Sequence, residues 1–364
     1  MQIRDIIACV EAFAPLALQE SYDNSGVQVG DTAQEATGVL IAIDITEELI
    51  DEAIDKGCNL IVAHHPLIFK GLKKITGSNY IERCVLKAIK NNIVLYAAHT
   101  NLDNVANGVS YRMAEKLGLR NIKVLAPQEG LLMKLATYVP LPKAELVRTA
   151  LFAAGAGHIG DYSECSFNAL GEGTFKAGAS ANPYVGEIGS QHTEVEVKIE
   201  VVLPRYLLSR VLKALTDSHP YEVPAYDIIS LQNANETTGS GLIGELPHEM
   251  NAVHVLRLIK ELFNVPCLKY SPLHKDNIKR IALCGGSGSF LYPQAMAASA
   301  DLFVTGEIKY HDFFVHENRM ILAEIGHYES EQFTKELIYD IIREKFSNFA
   351  THLAETKTNP INYI

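Results

Sequence analysis

The feature that most constrains the fold is an alternation of short apolar strand patterns with amphipathic helix patterns, which occurs at both ends of the chain. The strand patterns lie at residues 39–45, 59–63, 93–98, 278–284, 302–305 and 320–325. The helical patterns lie at residues 47–56, 80–91, 105–117, 252–263, 290–299 and 331–346. Alternation of this kind predicts an α/β fold with a largely parallel sheet that helices cover on both faces.

Between about residue 131 and residue 232 the pattern changes. Strand patterns at 134–140 and 193–203 alternate there with helical patterns at 144–154 and 206–218, around long glycine-rich loops. This order predicts a small α+β domain of ferredoxin-like type, inserted into the larger one. We therefore expect a discontinuous domain of residues 1–130 and 240–364, an inserted domain of residues 131–232, and a return linker at 233–241.

Composition excludes several classes of protein. The chain of 364 residues has 32 basic and 43 acidic side chains, and the net charge of −11 argues against nucleic acid as its principal partner. No apolar run reaches the roughly 18–20 residues that span a bilayer, and the first residues lack a signal-peptide core. The 6 cysteines include no closely spaced pair. We expect a cytoplasmic protein that does not contact membranes.

Polar residues that suit catalysis or metal binding follow three of the predicted strands. His64 and His65 come directly after the second strand pattern, His99 and Asp103 follow the third, and His327 and Glu331 follow the last. Ligands bind at the carboxyl ends of strands in open α/β sheets, because the loops converge there. A helical turn that began at His327 would place Glu331 on the same face.

A single histidine at a strand end is more often a hydrogen-bonded structural residue than a ligand. Several imidazoles and carboxylates at three strand ends are costly to bury without a cation, so the pattern favours a metal site. Adjacent residues of a strand point in opposite directions, and His64 and His65 could therefore serve two ions about 3.5–4 Å apart. Nitrogen and oxygen ligands favour zinc, with iron or manganese as alternatives.

Two further features have structural and functional interpretations. Asp44 could support the site from behind, but the preferred interpretation is a cap for the helix predicted at 47–56. The glycine-rich stretch 285–288 could hold an anion, or it could be a tight turn.

The sequence resembles a known family, the GTP cyclohydrolase I type 2 homologues, also called NIF-three-like proteins. The resemblance lies in segments that occur in order along the chain: YDNSG at 22–26, AHHPLIF at 63–69, HTNLD at 99–103, TGEIKYHD at 305–312, and GHY at 326–328 followed by Glu331. The inserted region resembles PII-like or CutA-like domains through GAGHIGDY at 155–162, GEGTF at 171–175 and HPYE at 219–222. The HPYE segment could face a ligand, or it could form a simple turn after a helix.

The resemblance implies a NIF-three-like α/β/α fold built from both ends of the chain, with an inserted PII-like domain. It implies two divalent metal ions held by a set of five side chains, with Glu331 as the bridge: His64, His65, Asp103, His327 and Glu331. It also implies a homohexamer, a trimer of dimers.

The family name implies hydrolysis of GTP, in which activated water attacks C8 of the guanine and the imidazole ring opens. Glu307 and His99 are the candidates for proton transfer, and Lys309 is a candidate contact for a phosphate. Two alternatives stay open. One is a metal-dependent phosphoesterase that acts on a small molecule or nucleotide, and the other is a non-enzymatic protein that binds a metal or metabolite in a regulatory role.

Overall fold

The computed structural model of the chain describes residues 1–315 and 317–364, which form two compact units. Residues 1–127 and 237–364 form the host unit, and residues 128–236 form the insert unit. Each hydrophobic core cluster found in the described residues is made of side chains from one unit alone. No helix in the described part of the chain is long and apolar enough to cross a bilayer.

The secondary structure follows in chain order. The strands are β1 (Gly26–Val29), β2 (Val39–Ala42), β3 (Leu60–Ala63), β4 (Val94–Ala97), β5 (Arg120–Gln128), β6 (Leu132–Pro140), β7 (Phe167–Lys176), β8 (Gln191–Pro204), β9 (Tyr226–Ser230), β10 (Asn235–Asn251), β11 (Lys269–Tyr270), β12 (Asn277–Cys284), β13 (Leu302–Thr305), β14 (Ile321–Glu324) and β15 (Thr351–Leu353). The helices are α1 (Ile3–Phe13), α2 (Glu47–Asp55), α3 (Tyr80–Lys90), α4 (Thr100–Asn104), α5 (Val109–Lys116), α6 (Ala144–Ala153), α7 (Leu208–Ser218), α8 (Ala252–Leu262), α9 (Tyr292–Ala297), α10 (His327–Glu331) and α11 (Thr334–Lys345).

The first sheet of the host unit has the strand order β1-β4-β3-β2-β15, and only β1 runs antiparallel to its neighbour. Strands β2, β3 and β4 are buried along their whole length. Alternate residues of these strands pack on α1 and α11 at one face and on α2 and α3 at the other. The predicted parallel sheet with helices on both faces is therefore confirmed.

The second sheet of the host unit has the order β11-β14-β13-β12-β10-β5, with β12, β13 and β14 parallel at its centre. Helices α5 and α8 pack on one face, and α9 packs on the other. Each sheet has one edge strand that comes from the opposite end of the chain. β15 comes from the end of the chain and pairs with β2 in the first sheet, whereas β5 precedes the insert and lies beside β10 in the second.

Three details differ from the sequence prediction. The stretch 233–241, predicted as a linker, contains the start of β10, a strand whose polar and glycine-rich first half has little strand character. The helical pattern at 105–117 is interrupted, and α5 begins only after Gly108, where a Cβ would lie 2.1 Å from the carbonyl oxygen of Leu102. The pattern at 331–346 is likewise divided between α10 and α11.

The insert unit has the element order β6-α6-β7-β8-α7-β9 and an antiparallel sheet with the order β7-β8-β6-β9. This is the ferredoxin-like arrangement. Helices α6 and α7 pack against the apolar face of β6 and β8. The sequence missed β7 and β9, because most of their residues are solvent-exposed and lack an apolar alternation.

The chain leaves and re-enters the host unit at neighbouring points. A Cβ placed on Gly239 in β10 would lie 2.1 Å from the carbonyl oxygen of Ala126 and 2.9 Å from Cα of Pro127. A short connection can therefore close the host unit without the insert.

We expect that replacement of residues 128–236 by a short Gly/Ser linker leaves a folded host unit, because every host core cluster stays complete. Circular dichroism with thermal unfolding should show one cooperative transition. The insert unit expressed alone serves as the comparison. A deletion protein without a cooperative transition would contradict the independence of the two cores.

Candidate metal centre

The side chains predicted at the strand ends come together at one place in the host unit. His64 and His65 follow β3, and His99 and Asp103 follow β4, where Asp103 lies in α4. These strands belong to the first sheet. His327 and Glu331 are the first and last residues of α10, which follows β14 in the second sheet. The site thus lies where the carboxyl ends of strands from two sheets face each other.

Each of the four imidazoles has its Nδ1 atom against an oxygen. His64 Nδ1 lies 2.8 Å from the carbonyl oxygen of Ala98, and His65 Nδ1 lies 2.7 Å from Oδ1 of Asp44. The corresponding partners are Asp23 Oδ1 for His99 and Glu307 Oε1 for His327, both at 2.8 Å. Because a carbonyl or carboxylate oxygen only accepts, Nδ1 carries the hydrogen and Nε2 is left for another contact.

Glu331 lies among three of these Nε2 atoms and is only 3% exposed. Its Oε2 is 2.9 Å from Nε2 of His65 and 3.2 Å from Nε2 of His327, and its Oε1 is 3.6 Å from Nε2 of His64. The single turn of α10 places His327 and Glu331 side by side, as the spacing of four residues predicted.

Two buried polar atoms in this cluster have no hydrogen-bond partner within the described residues: Nε2 of His64 and Oδ1 of Asp103. They lie 3.8 Å apart, too far for a hydrogen bond. Two ligand atoms that each bind one metal ion at about 2.0–2.2 Å are separated by roughly 3–4 Å. The donor types and their separations therefore fit a metal ion.

Among the residues that the structure describes, ligand atoms within 4.8 Å of one another form three groups that could hold a metal ion. The groups are His64 with Asp103 and Glu331, His65 with His327 and Glu331, and His64 with His65 and His99. The first two groups share only Glu331.

Buried carboxylates dominate the electrostatics of the cluster. Burial alone would lower the pKa of His65, but hydrogen bonds to Asp44 and Glu331 outweigh it and raise that pKa to about 10. Burial likewise opposes protonation of His327, but Glu331 raises its pKa to about 9. Burial raises the pKa of Asp103. Without a cation, protons on the imidazoles must offset the buried carboxylate, and a divalent ion could replace them.

Asp44 and Asp23 lie behind the imidazoles; the sequence suggested this place for Asp44 only as the less favoured interpretation and did not suggest it for Asp23. We preferred to interpret Asp44 as the cap of α2, and this interpretation is wrong. Thr46 caps α2 by accepting a hydrogen bond from the Leu49 amide, and Asp44 contacts His65 and the hydroxyl of Thr358. Asp23 accepts hydrogen bonds from the Thr100 amide and the Ser25 hydroxyl, besides its contact with His99. Burial opposes ionisation of Asp23, but these bonds hold its pKa below the usual range.

The glycine-rich stretch 285–288 is a turn against the site. The Gly286 amide donates to Oγ of Ser330 and the Gly288 amide donates to Oγ1 of Thr305, so both N–H groups are already paired. Gly286 has a φ of +59°, and a Cβ there would lie 2.3 Å from Oε1 of Glu331. Glycine is therefore required for the close approach of the Glu331 carboxylate.

Two cavities border the cluster. The larger, of about 710 Å³, is lined by residues that include His65, His99 and His327 together with Lys70, Lys73 and Lys74. The smaller, of about 250 Å³, reaches Asp103 and Glu331. Lys309, which the sequence suggested as a phosphate contact, is exposed and does not line either of these cavities.

Comparison with known proteins agrees with this architecture. Residues 1–360 match the Duf34/NIF3 (NGG1p interacting factor 3) family, and the chain belongs to that family. It is 38% identical over 366 residues to the "GTP cyclohydrolase 1 type 2 homolog" of Halalkalibacterium halodurans, a match that covers 99% of this chain and 98% of that protein. A Bacillus subtilis protein of the same name is 36% identical over 369 residues, with 99% and 98% covered.

The fold is shared with solved structures. A Bacillus cereus protein related to NIF3 superposes with a TM-score of 0.87 at 36% identity, and the match covers 100% of this chain and 99% of that one. The resemblance to the NIF-three-like family, inferred from the sequence segments, is confirmed.

Replacement of Gly286 by Ala should weaken metal binding by about 10–100-fold, because the new methyl group must displace the Glu331 carboxylate. Metal affinity is measured by competition with a chelator. Gly118→Ala is the matched control, since Gly118 has a φ of +66° and no atom within 4 Å of its Cβ position. Equal affinities for both variants would show that Gly286 does not control the carboxylate.

Proposed function

We propose that the host unit binds two divalent metal ions that share Glu331. His64, Asp103 and Glu331 would hold one ion, and His65, His327 and Glu331 would hold the other. The observation that carries this proposal is the pair of buried, unpartnered ligand atoms, Nε2 of His64 and Oδ1 of Asp103, beside a carboxylate that two other imidazoles already approach. A bridging carboxylate of this kind is typical of two-metal sites.

The ligand set favours zinc, with iron and manganese as the alternatives. It consists of imidazole nitrogens and carboxylate oxygens only. The buried Cys284 thiol belongs to none of the candidate ligand groups found among the described residues.

We further propose that the protein is a hydrolase. When bound, two divalent ions would supply Lewis-acid charge and lower the pKa of water at the site. His99 is our candidate for proton transfer, because its Nδ1 is held by the ionised Asp23 and one of its ring nitrogens lies within 4.8 Å of ligand atoms of His64 and His65. Glu307 is better suited to orient His327, since one of its oxygens accepts from His327 and the other contacts the hydroxyl of Ser287.

The larger cavity supports an anionic substrate. Lys70, Lys73 and Lys74 are among its lining residues, are solvent-exposed, and form no ion pair within residues 1–315 and 317–364. In a chain with a net charge of −11, three unpaired lysines beside a candidate metal centre would attract phosphate groups. A volume of about 710 Å³ is within the range of small-molecule sites.

The name of the relatives suggests GTP as the substrate, with opening of the guanine ring. The lysines support GTP and any other phosphate ester equally well as the substrate. They therefore do not distinguish ring opening from cleavage of a phosphate ester. Incubation of the metal-loaded protein with a panel of nucleotides, followed by mass spectrometry, distinguishes the two reactions. Loss of the C8 carbon as formate would support ring opening, and release of phosphate would support a phosphoesterase. No turnover of any nucleotide would overturn the nucleotide hydrolase and leave a binding role.

Metal loss in variants should be graded. Glu331→Gln should release both ions because the two proposed ligand sets share Glu331, whereas Asp103→Asn should release one. Metal content is measured by mass spectrometry of the dialysed protein. Glu329→Gln is the control, since Glu329 lies on the same helix and is 5% exposed but belongs to neither group. Two ions retained in Glu331→Gln would exclude the bridge.

The lysines should act on substrate binding more than on the reaction step. A variant with Lys70, Lys73 and Lys74 replaced by Gln should raise KM about tenfold or more and change kcat little, since the contacts are to a part of the substrate that does not react. The charge-matched control replaces the exposed Lys90, Lys123 and Lys260. A similar KM in both variants would remove the lysines from substrate binding.

A further inference from the structure

A third cavity lies in the insert unit, and nothing in the proposed metal chemistry uses it. Its volume is about 340 Å³, and its walls come from β7, from the segment 177–184 and from the segment 221–225. Both GEGTF and HPYE contribute, through Gly173 and Phe175 from the first and through Tyr221 and Glu222 from the second. The volume is sufficient for a small organic ligand.

Aromatic rings form much of the wall. The ring of Tyr221 lies 5.9 Å from that of Phe175 and 6.3 Å from that of Tyr184, at interplanar angles of 63° and 57°. The rings are therefore inclined to one another and do not stack in parallel. Three aromatic side chains, Phe175, Tyr184 and Tyr221, thus line one small cavity, and aromatic faces attract organic cations.

Carboxylates form the polar part of the wall. Glu196 is buried, and its Oε1 accepts a hydrogen bond of 2.7 Å from the Tyr221 hydroxyl. Gly173 makes room for the other oxygen, because a Cβ at that residue would lie 2.2 Å from Oε2. Glu222 accepts from the amide of Asn182 and so ties the segment 177–184 to the segment 221–225.

The lining residues carry no compensating positive charge. Among the residues that line this cavity there is no lysine, arginine or histidine, and the residues 128–236 contain no group of side chains arranged to hold a metal ion. Burial raises the pKa of the Tyr221 phenol, and the charges of Glu196 and Glu194 raise it further. The interior of the cavity is therefore negative and largely apolar, which disfavours phosphates and other anions.

We propose that this cavity binds a small organic cation of the amine type, with its charged nitrogen between the aromatic rings and Glu196. The rings supply cation–π attraction, and the carboxylate supplies the opposite charge. The apolar residues Ala177, Pro183 and Val223 contact the body of the ligand. The site is separate from the metal centre, because every residue that lines it belongs to the insert unit.

The test uses the full chain and a pair of probes of equal shape. Choline carries a quaternary ammonium group, and 3,3-dimethyl-1-butanol is its neutral isostere. Isothermal titration calorimetry should detect choline and not the alcohol at the same concentrations, and an excess of inorganic phosphate should leave choline binding unchanged. Equal binding of choline and the alcohol, or no binding of choline and of simple alkylammonium ions, would overturn the proposal.

Variants of the lining residues test whether choline binds in this cavity. Tyr184→Leu removes a half-exposed ring without disturbing the core and should weaken choline binding about tenfold. Glu196→Gln, which keeps an acceptor for the Tyr221 hydroxyl, should weaken it by a similar factor. Tyr162→Leu is the control, since Tyr162 is 76% exposed in the same unit and lies outside the cavity. Unchanged affinity in Tyr184→Leu and Glu196→Gln would exclude this cavity.

Discussion

The buried carboxylate of Glu331 is the interaction on which the rest of the site depends. It lies on a single turn of helix, is almost fully shielded from solvent, and faces three imidazole nitrogens. Burial of an ionised carboxylate costs several kcal/mol unless positive charge compensates it. An acceptor behind each imidazole holds one hydrogen on Nδ1, so Nε2 faces the carboxylate and can carry a second proton or bind a metal ion, either of which supplies the compensating charge. Gly286 gives the carboxylate the space it needs.

The exchange of edge strands explains why the site requires both ends of the chain. The histidines of β3 and β4 belong to the first sheet, and Glu331 follows a strand of the second. Strand β15 joins the last residues of the chain to the first sheet, and β5 joins the first stretch to the second sheet. The chain therefore crosses between the two sheets before the insert and again near its end. The insert unit lies in the chain between β5 and β10. The backbone at the end of β5 and at the start of β10 is in close contact there.

Much of this architecture could be predicted from sequence because its signals are local. The apolar runs of β2, β3, β4, β13 and β14 and the amphipathic helices between them are each visible within about ten residues. The polar residues after the strands follow from the same reasoning, and the four-residue spacing on α10 gave the right face. The assignment of the five side chains as metal ligands stays a prediction.

The errors concern features that depend on distant partners. Asp44 was interpreted as a cap from its position before a helix, but its partner His65 is 21 residues away and a nearer threonine does the capping. Strand β10 lacks a clear pattern because its first half is polar, and its membership of the sheet depends on its neighbours β5 and β12, which are distant in sequence or follow later in the chain. The support of His99 by Asp23 spans 76 residues, a contact that no local pattern encodes.

The most direct test of the account is a crystal structure of the metal-loaded protein with anomalous diffraction recorded at the absorption edges of zinc, iron and manganese. The account predicts two anomalous peaks about 3.5–4 Å apart, one on each side of the Glu331 carboxylate, with Nε2 of His64 directed at one and Nε2 of His65 at the other. A single peak, or peaks that do not contact Glu331, would contradict it.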